Sequence, residues 1–320
     1  MVGLVGWPLG LMLSFLASII GVLGKIMVKL SYQPKLSPQS TEARFWWGSG
    51  MVLVVLVNPV LCITAFKFAP QSLLAPMGGM CIVWNTVFSP YVLSEHLRRQ
   101  DIVGAAIIFL GCVVVGGVGS HETHDIPIDE LASHFTSPLF LVYITAYITL
   151  VIGLLRQAYP ALLQVWDGYT AYASTYTTTC CRVSLASLAG SISGQMYCMT
   201  ALLRLMHNEP KVVFSTPLVY FVAVGALTFA LSGLYMMNLA LKLYDALFVI
   251  YIYEATLMLG GAVSGICFFD DMKDLGMWHW VSYGFGILTI LIGIFVIAHG
   301  ERQPRQPYLD DLHGVKQTLL

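Results

Sequence analysis

Residues 242–270 read "KLYDALFVIYIYEATLMLGGAVSGICFFD", and between the flanking Lys242, Asp245 and Asp270 they carry one carboxylate, Glu254, in an otherwise apolar run. Roughly 20 apolar residues are what an α-helix needs to cross the hydrocarbon core of a bilayer. The stretch therefore predicts a membrane helix over 246–269, and Glu254 is its anomaly. A charge at the bilayer centre costs at least ~2.5–3.5 kcal/mol, so this side chain must face something other than lipid. On a helical wheel Gly261 and Gly265 fall within roughly 20° of it, which places the carboxylate on the face where small residues permit close helix contact.

The rest of the chain has the same character. Of its 320 residues 57% are hydrophobic and 10% charged, and the mean hydropathy is +0.76. These values place it among polytopic membrane proteins. The net charge of -1 points to neither nucleic acid nor a polybasic membrane-surface protein. Seven cysteines, without CxxC spacing, fall mostly in apolar runs and read as small buried hydrophobes, with no disulfide framework expected. The N-terminal run has no positive leader region and predicts a first span that stays in the mature chain.

Runs of spanning length occur near 9–30, 45–66, 71–93, 102–120, 138–156, 182–204, 215–241, 246–269 and 277–299. The fold class that follows is an all-α polytopic membrane protein with about nine transmembrane helices. With the N-terminus outside or lumenal, the cytoplasmic side collects Lys25, Lys29, Lys35, Arg44, Arg98, Arg99, Arg156, Arg182, Lys242, Arg302, Arg305 and Lys316. The opposite side holds Lys67, Arg204, Lys211 and Lys273. This bias is the positive-inside signature and puts the C-terminus in the cytoplasm. Lys25 and Lys29, near the end of the first span, are expected to snorkel to the interface.

The layout of 67–95, "KFAPQSLLAPMGGMCIVWNTVFSPYVLSE", matches that of 242–270: a lysine, a turn, one apolar span, then an acid. In the span that follows each, Gly104 and Gly111 recur as Gly286 and Gly293, about two helical turns apart on one face. If spans one to four correspond to spans six to nine, the odd step between partners turns the second copy upside down. The chain then divides into a first four-helix repeat (1–120), an outer loop, linker helix and connecting loop (121–175), an inverted second repeat (176–300) and a disordered cytoplasmic tail (301–320). Secondary transporters with this plan place their site near the midplane between repeats. Pro59, Pro76 and Pro90, inside spans two and three, each free a backbone carbonyl for a neighbour, a water or an ion, or simply mark packing kinks.

The stretches "RFWWGSGMVLVV" (44–55), "FAPQSLLAPMGG" (68–79), "YVLSEHLRRQDIVGAAIIFLGCVVVGG" (91–117), "FFDDM" (268–272) and "YGFGILTILIGIFVIAHG" (283–300) resemble the NIPA-type magnesium transporters of the drug/metabolite transporter superfamily. The resemblance covers most of spans one to four and seven to nine and is weak over about 120–200. It implies Mg²⁺ transport, in some members of wider divalent selectivity, in a plasma or endosomal membrane. The chain departs from the family pattern in the eighth span, where Ile250 stands for a proline and Glu254 for an apolar residue.

Mg²⁺ takes hard oxygen ligands and is usually bound through one or two carboxylates plus waters and neutral oxygens. Glu254 with the amides of Asn85, Asn58 and Asn238 offers such a set, and Tyr251 and Thr256 are weaker candidates. The competing reading of Glu254 is a structural glutamate tied to Tyr251, Tyr253 or a freed carbonyl; each asparagine equally suits an interhelical hydrogen bond. The loop residues His121, Glu122, His124, Asp125, Asp129, Glu130 and His134, with no basic residue among them, form either a cation-collecting entrance or an ordinary solvated loop. Their H-E-x-H spacing is not that of a zinc hydrolase. Glu95, beside Arg98 and Arg99, reads as structural. The absence of a Walker A sequence fits uptake driven by membrane potential. No cofactor is expected, Mg²⁺ being cargo; lipid and a divalent cation are the partners, with a homodimer left open. Two alternatives stand: a transporter of an organic solute such as a nucleotide sugar, and a non-transporting scaffold or membrane enzyme.

Overall fold

The computed structural model describes residues 7–33, 40–65, 79–118, 133–166, 175–195, 198–199, 201–202, 217–269 and 276–299. Their regular structure is helical: α1 (Trp7–Leu30), α2 (Thr41–Val52), a π-helical stretch (Leu53–Val57), α3 (Asn58–Ala65), α4 (Met80–Leu93), α5 (Arg99–Val118), α6 (Pro138–Trp166), α7 (Thr175–Ser193), α8 (Pro217–Leu243), α9 (Ala246–Phe269) and α10 (Met277–His299). Among the described residues six segments are long and apolar enough to cross a membrane: Pro8–Leu30, Thr41–Ala65, Pro138–Leu163, Pro217–Leu243, Ala246–Phe268 and Met277–Ile297. The chain is an all-α polytopic membrane protein.

Burial sorts these helices into inner and outer ones. Every residue of α9 from Ala246 to Ala255 is buried, whereas only 6% of the most apolar window of α6 is covered by protein. So α9 is the central helix and α6 a peripheral one whose large side chains, Leu141, Val142 and Ile152 among them, point outward into the space lipid fills.

Two boundaries differ from those expected of the sequence. The α6 helix continues past Pro160 to Trp166, where a loop was expected. Proline removes one backbone hydrogen bond from a helix interior, but Ala158, Ala161 and Leu162 beside it are buried, and Ala158 and Leu162 join the main core, so packing carries the helix through. The sixth span starts at Thr175 and ends at Ser193, earlier than the 182–204 expected. Its polar composition is tolerated because protein covers it: Arg182, Ser184, Ser187 and Ser191 are all buried. The hydroxyl of Ser184 donates to Oε1 of Gln157 at 2.7 Å, and Cys181 Sγ donates to the Gln157 carbonyl. A helix surrounded by other helices can satisfy polar groups that lipid cannot.

Glycines set the closest helix approaches. A Cβ on Gly190 would collide with Thr256 Oγ1 and the Tyr253 carbonyl, and one on Gly194 would lie 3.0 Å from Cα of Gly260, so α7 and α9 touch backbone to backbone. Gly24 and Gly50 do the same for α1 and α2. The most extensive pairing is α5 with α10. There Ile297 covers Gly104 and Val115 covers Gly286, while Ile290 covers Gly111 and Ile108 covers Gly293. Exchanging the two helices maps each contact onto its counterpart at one constant offset along the chain. By contrast, Gly265 has open space where a Cβ would be.

One end of the bundle gathers the C-termini of α1, α4 and α8 with the N-termini of α7 and α9. Lys29 Nζ donates to the carbonyls of Leu241 and Tyr244 at 2.9 and 2.5 Å, capping the end of α8. Glu95 accepts the backbone N–H groups of Ala246 and Leu247, each at 2.7 Å, capping the start of α9. Arg182 lies over the ring of Phe248 at 4.2 Å. The opposite end joins the start of α6 to the end of α9, where His134 Nδ1 is 2.8 Å from the Phe268 carbonyl oxygen.

Candidate functional site

Glu254 is the ninth residue of α9, about 12 Å along the axis from Ala246 at 1.5 Å per residue. It is 4% exposed, and its Oε1 is in direct contact with Nζ of Lys25, itself 6% exposed. Lys25 therefore does not snorkel to the interface; it reaches inward from α1 to the carboxylate. Lys29, half-buried in the last turn of α1, commits its ammonium to the α8 carbonyls. An isolated charge this deep would carry the full desolvation penalty, and an opposite charge in contact offsets it.

The surroundings of the pair come from several helices. Lys25 Nζ stands 5.1 Å from the centroid of the Tyr253 ring. The thiols of Cys62 (α3) and Cys81 (α4) lie within electrostatic range of both charges, and that of Cys112 (α5) within range of Glu254. Cys81 Sγ is 3.9 Å from the Ser18 carbonyl and Cys112 Sγ is 3.0 Å from Met258 Sδ. The lining is thus soft and uncharged around one carboxylate and one ammonium.

Among the described residues, the asparagines hydrogen-bond to groups other than Glu254. Asn85 is fully buried, donates to the Leu247 carbonyl at 3.2 Å and accepts from Ser89 at 2.6 Å, joining α4 to α9. Tyr251 and Thr86 share a hydrogen bond of 2.7 Å across the same two helices. Thr256 donates to the Ile252 carbonyl of its own helix. Asn58 follows the π-helical stretch, donates to the Ala17 carbonyl at 3.3 Å and accepts from Cys62 Sγ; its amide fills the space left by the missing side chain of Gly21. The π turn widens the backbone one residue before Pro59, whose ring would otherwise crowd the carbonyl four residues back. Asn238 donates to Met51 Sδ and to the Leu234 carbonyl, leaving its buried Oδ1 without a donor.

Pro90 sits inside α4. Pro76 and the loop residues His121, Glu122, His124, Asp125, Asp129 and Glu130 lie outside the described residues. Among the described residues no three of His, Cys, Asp and Glu group closely enough to hold a metal ion. Glu95, half-buried at the end of α4, has its carboxyl held above the usual range by burial first and then by the Asp245 charge, against the opposing pull of the α9 N–H groups and Lys29.

Sequence reasoning missed three features. The "GSISG" run at 190–194 has the small-xxx-small spacing of a close helix contact and was there to be read. Glu95 as the cap of a helix 151 residues away, and Lys25 as the partner of Glu254 across 229 residues, leave no periodic signal.

A charged pair inside a helical membrane bundle marks a functional-site candidate. The model of the magnesium transporter NIPA family matches residues 39–303, and the chain belongs to that family. It is 22% identical over 268 residues to the probable magnesium transporter NIPA6 of Arabidopsis thaliana, covering 84% of this chain and 77% of that one. It is 20% identical over 305 residues to the human NIPA-like protein 2, covering 91% and 76% respectively. Over 255 residues it is 25% identical to a probable magnesium transporter of Candida albicans, covering 79% and 65%. No solved structure matches the chain. Membership makes it a transporter of the drug/metabolite transporter superfamily and not an enzyme.

Proposed function

We propose that this protein carries divalent cations, Mg²⁺ first among them, across its membrane, using Glu254 as the carboxylate that meets the cation. The observation that carries this reading is the placement of Glu254: a carboxylate on the most buried helix, facing α1 from the other half of the chain. Family membership supplies the substrate class.

The architecture that fits is nine spans in two inverted four-helix repeats, with the site between them. The exchange-symmetric packing of α5 on α10 supports it, since a two-fold axis relating antiparallel helices requires contacts that map onto each other. The charge bias among the loops supports an outside or lumenal N-terminus and a cytoplasmic C-terminus. A negative-inside potential favours entry of a divalent cation by ~4.6 kcal/mol per 100 mV, twice the single-charge value, so uptake needs no further energy source.

A second reading draws on Lys25, an intramembrane cation of the kind that a transporter of an anionic solute needs. It is weaker because the family match points to a cationic substrate.

The test is Mg²⁺ entry into liposomes holding the purified protein, read with a trapped fluorescent indicator under an imposed negative-inside potential. Wild-type protein should give flux, and Glu254→Gln should lower it by at least ~10-fold, the loss expected when the one carboxylate on the path is neutralised. Equal flux in both would remove Glu254 from the path. Absence of flux in wild type, with transport of a nucleotide sugar in its place, would establish the second reading.

A further inference from the structure

If Glu254 receives the transported cation, Lys25 holds the place that cation must take. We propose that Lys25 is the resident counter-ion of the empty site: its ammonium docks on Glu254 when the divalent cation leaves, and this neutral state is the one in which the unloaded protein returns to face the other side of the membrane. The inference rests on the reading of Glu254 as the cation's carboxylate.

The geometry separates Lys25 from the other basic residue of α1. Lys29 is fastened to two backbone carbonyls and caps the end of α8. The ammonium of Lys25 is held by the carboxylate, and the face of Tyr253 and the thiols of Cys62 and Cys81 are also near it. An ammonium on a flexible four-carbon stem can swing between such partners, and an aromatic face within about 6 Å attracts it. A divalent cation and the Lys25 ammonium cannot both sit against one carboxylate without strong like-charge repulsion. That repulsion favours displacement, which needs no proton to leave Lys25.

The electrostatic consequence concerns the return step. An alternating carrier passes through a state in which its site is closed from both sides. With no cation bound and no Lys25, Glu254 would make that passage as a bare carboxylate among thiols and apolar side chains, the most costly arrangement for a buried charge. With Lys25 docked the site is neutral. When a cation is bound the carboxylate is already compensated, so the loaded passage does not need Lys25.

This predicts a split between two transport modes in Lys25→Met. Net Mg²⁺ uptake into Mg²⁺-free liposomes, which requires empty return, should fall by more than ~10-fold relative to wild type, as an uncompensated charge on the returning limb implies. Exchange, measured as Mn²⁺ entering Mg²⁺-loaded liposomes and quenching a trapped dye, should stay within about twofold because only loaded passages are used. Lys25→Arg, which keeps the positive charge, should retain both modes.

Folding is controlled separately in detergent. Mn²⁺ should raise the melting temperature of Lys25→Met more than that of wild type, since no internal ammonium competes with it, and should leave Glu254→Gln unmoved. Equal loss of both modes in folded Lys25→Met, wild-type rates in both, or no added stabilisation by Mn²⁺ overturns the proposal. Wild-type protein that passes cations in neither mode refutes the transport reading itself and this inference with it, whereas a failure confined to Lys25→Met refutes the inference alone.

Discussion

Glu95 shows how a single side chain sets the position of the helix that bears the candidate site. Its two carboxylate oxygens take the first free N–H groups of α9, groups that no residue within that helix can satisfy. Glu95→Ala should cost on the order of 1–2 kcal/mol, the range for loss of a capping side chain, seen as a lower melting temperature in detergent. The pH dependence has a defined sign. Burial holds the folded carboxyl above its unfolded value, so the folded state binds the extra proton. The stability linked to that proton is fully present below the unfolded value of ~4.3 and is lost as pH rises through the folded one. Melting temperature should therefore climb as pH is lowered from neutrality toward ~4.3, with the slope reduced in Glu95→Gln. The sequence placed Glu95 beside Arg98 and Arg99 as a structural residue; what it stabilises is α9, which only the fold brings near. Lys25 teaches the same lesson with more at stake, because its place near the end of the first span pointed to an interfacial lysine and the tertiary contact made it the partner of Glu254.

At the scale of the element, α7 and α9 are the pair that the linear sequence obscured. The start of α7, "TYTTTCCR" (175–182), is polar, but hydropathy measures compatibility with lipid, and α7 packs against α6, α8 and α9. Its contact with α9 depends on Gly190 and Gly194 having no side chain. Gly190→Leu should destabilise the protein by about 1–3 kcal/mol, as overpacking of a closed contact does. Because the collision is with the Tyr253 carbonyl, one residue before Glu254, the same variant should also reduce Mg²⁺ flux. Gly265→Ala is the control: with open space at its Cβ position, it should leave melting temperature and flux unchanged. Thermal unfolding followed by tryptophan fluorescence in detergent measures both variants.

At the scale of the molecule, the α5 and α10 pairing tests the relation between the two halves. Gly111 receives Ile290 and Gly293 receives Ile108 in equivalent environments. Under a two-fold relation Gly111→Leu and Gly293→Leu should lower stability by equal amounts, within about 0.5 kcal/mol, each in the overpacking range of about 1–3 kcal/mol; a large inequality in detergent unfolding would speak against that relation. The sequence by itself determined that this chain is a helical membrane protein, which segments are apolar enough to span, the odd placement of Glu254 and the family resemblance. Those properties are written in local composition, because the bilayer acts on each segment's hydrophobicity separately. What only the tertiary structure decided is which side chains meet: Lys25 with Glu254 rather than with the interface, Asn85 and Asn58 with the carbonyls of Leu247 and Ala17, and a polar α7 inside the bundle. Such contacts depend on the rotation and register of helices far apart in the chain, and an apolar period fixes a helix's buried face without naming the residue that faces it.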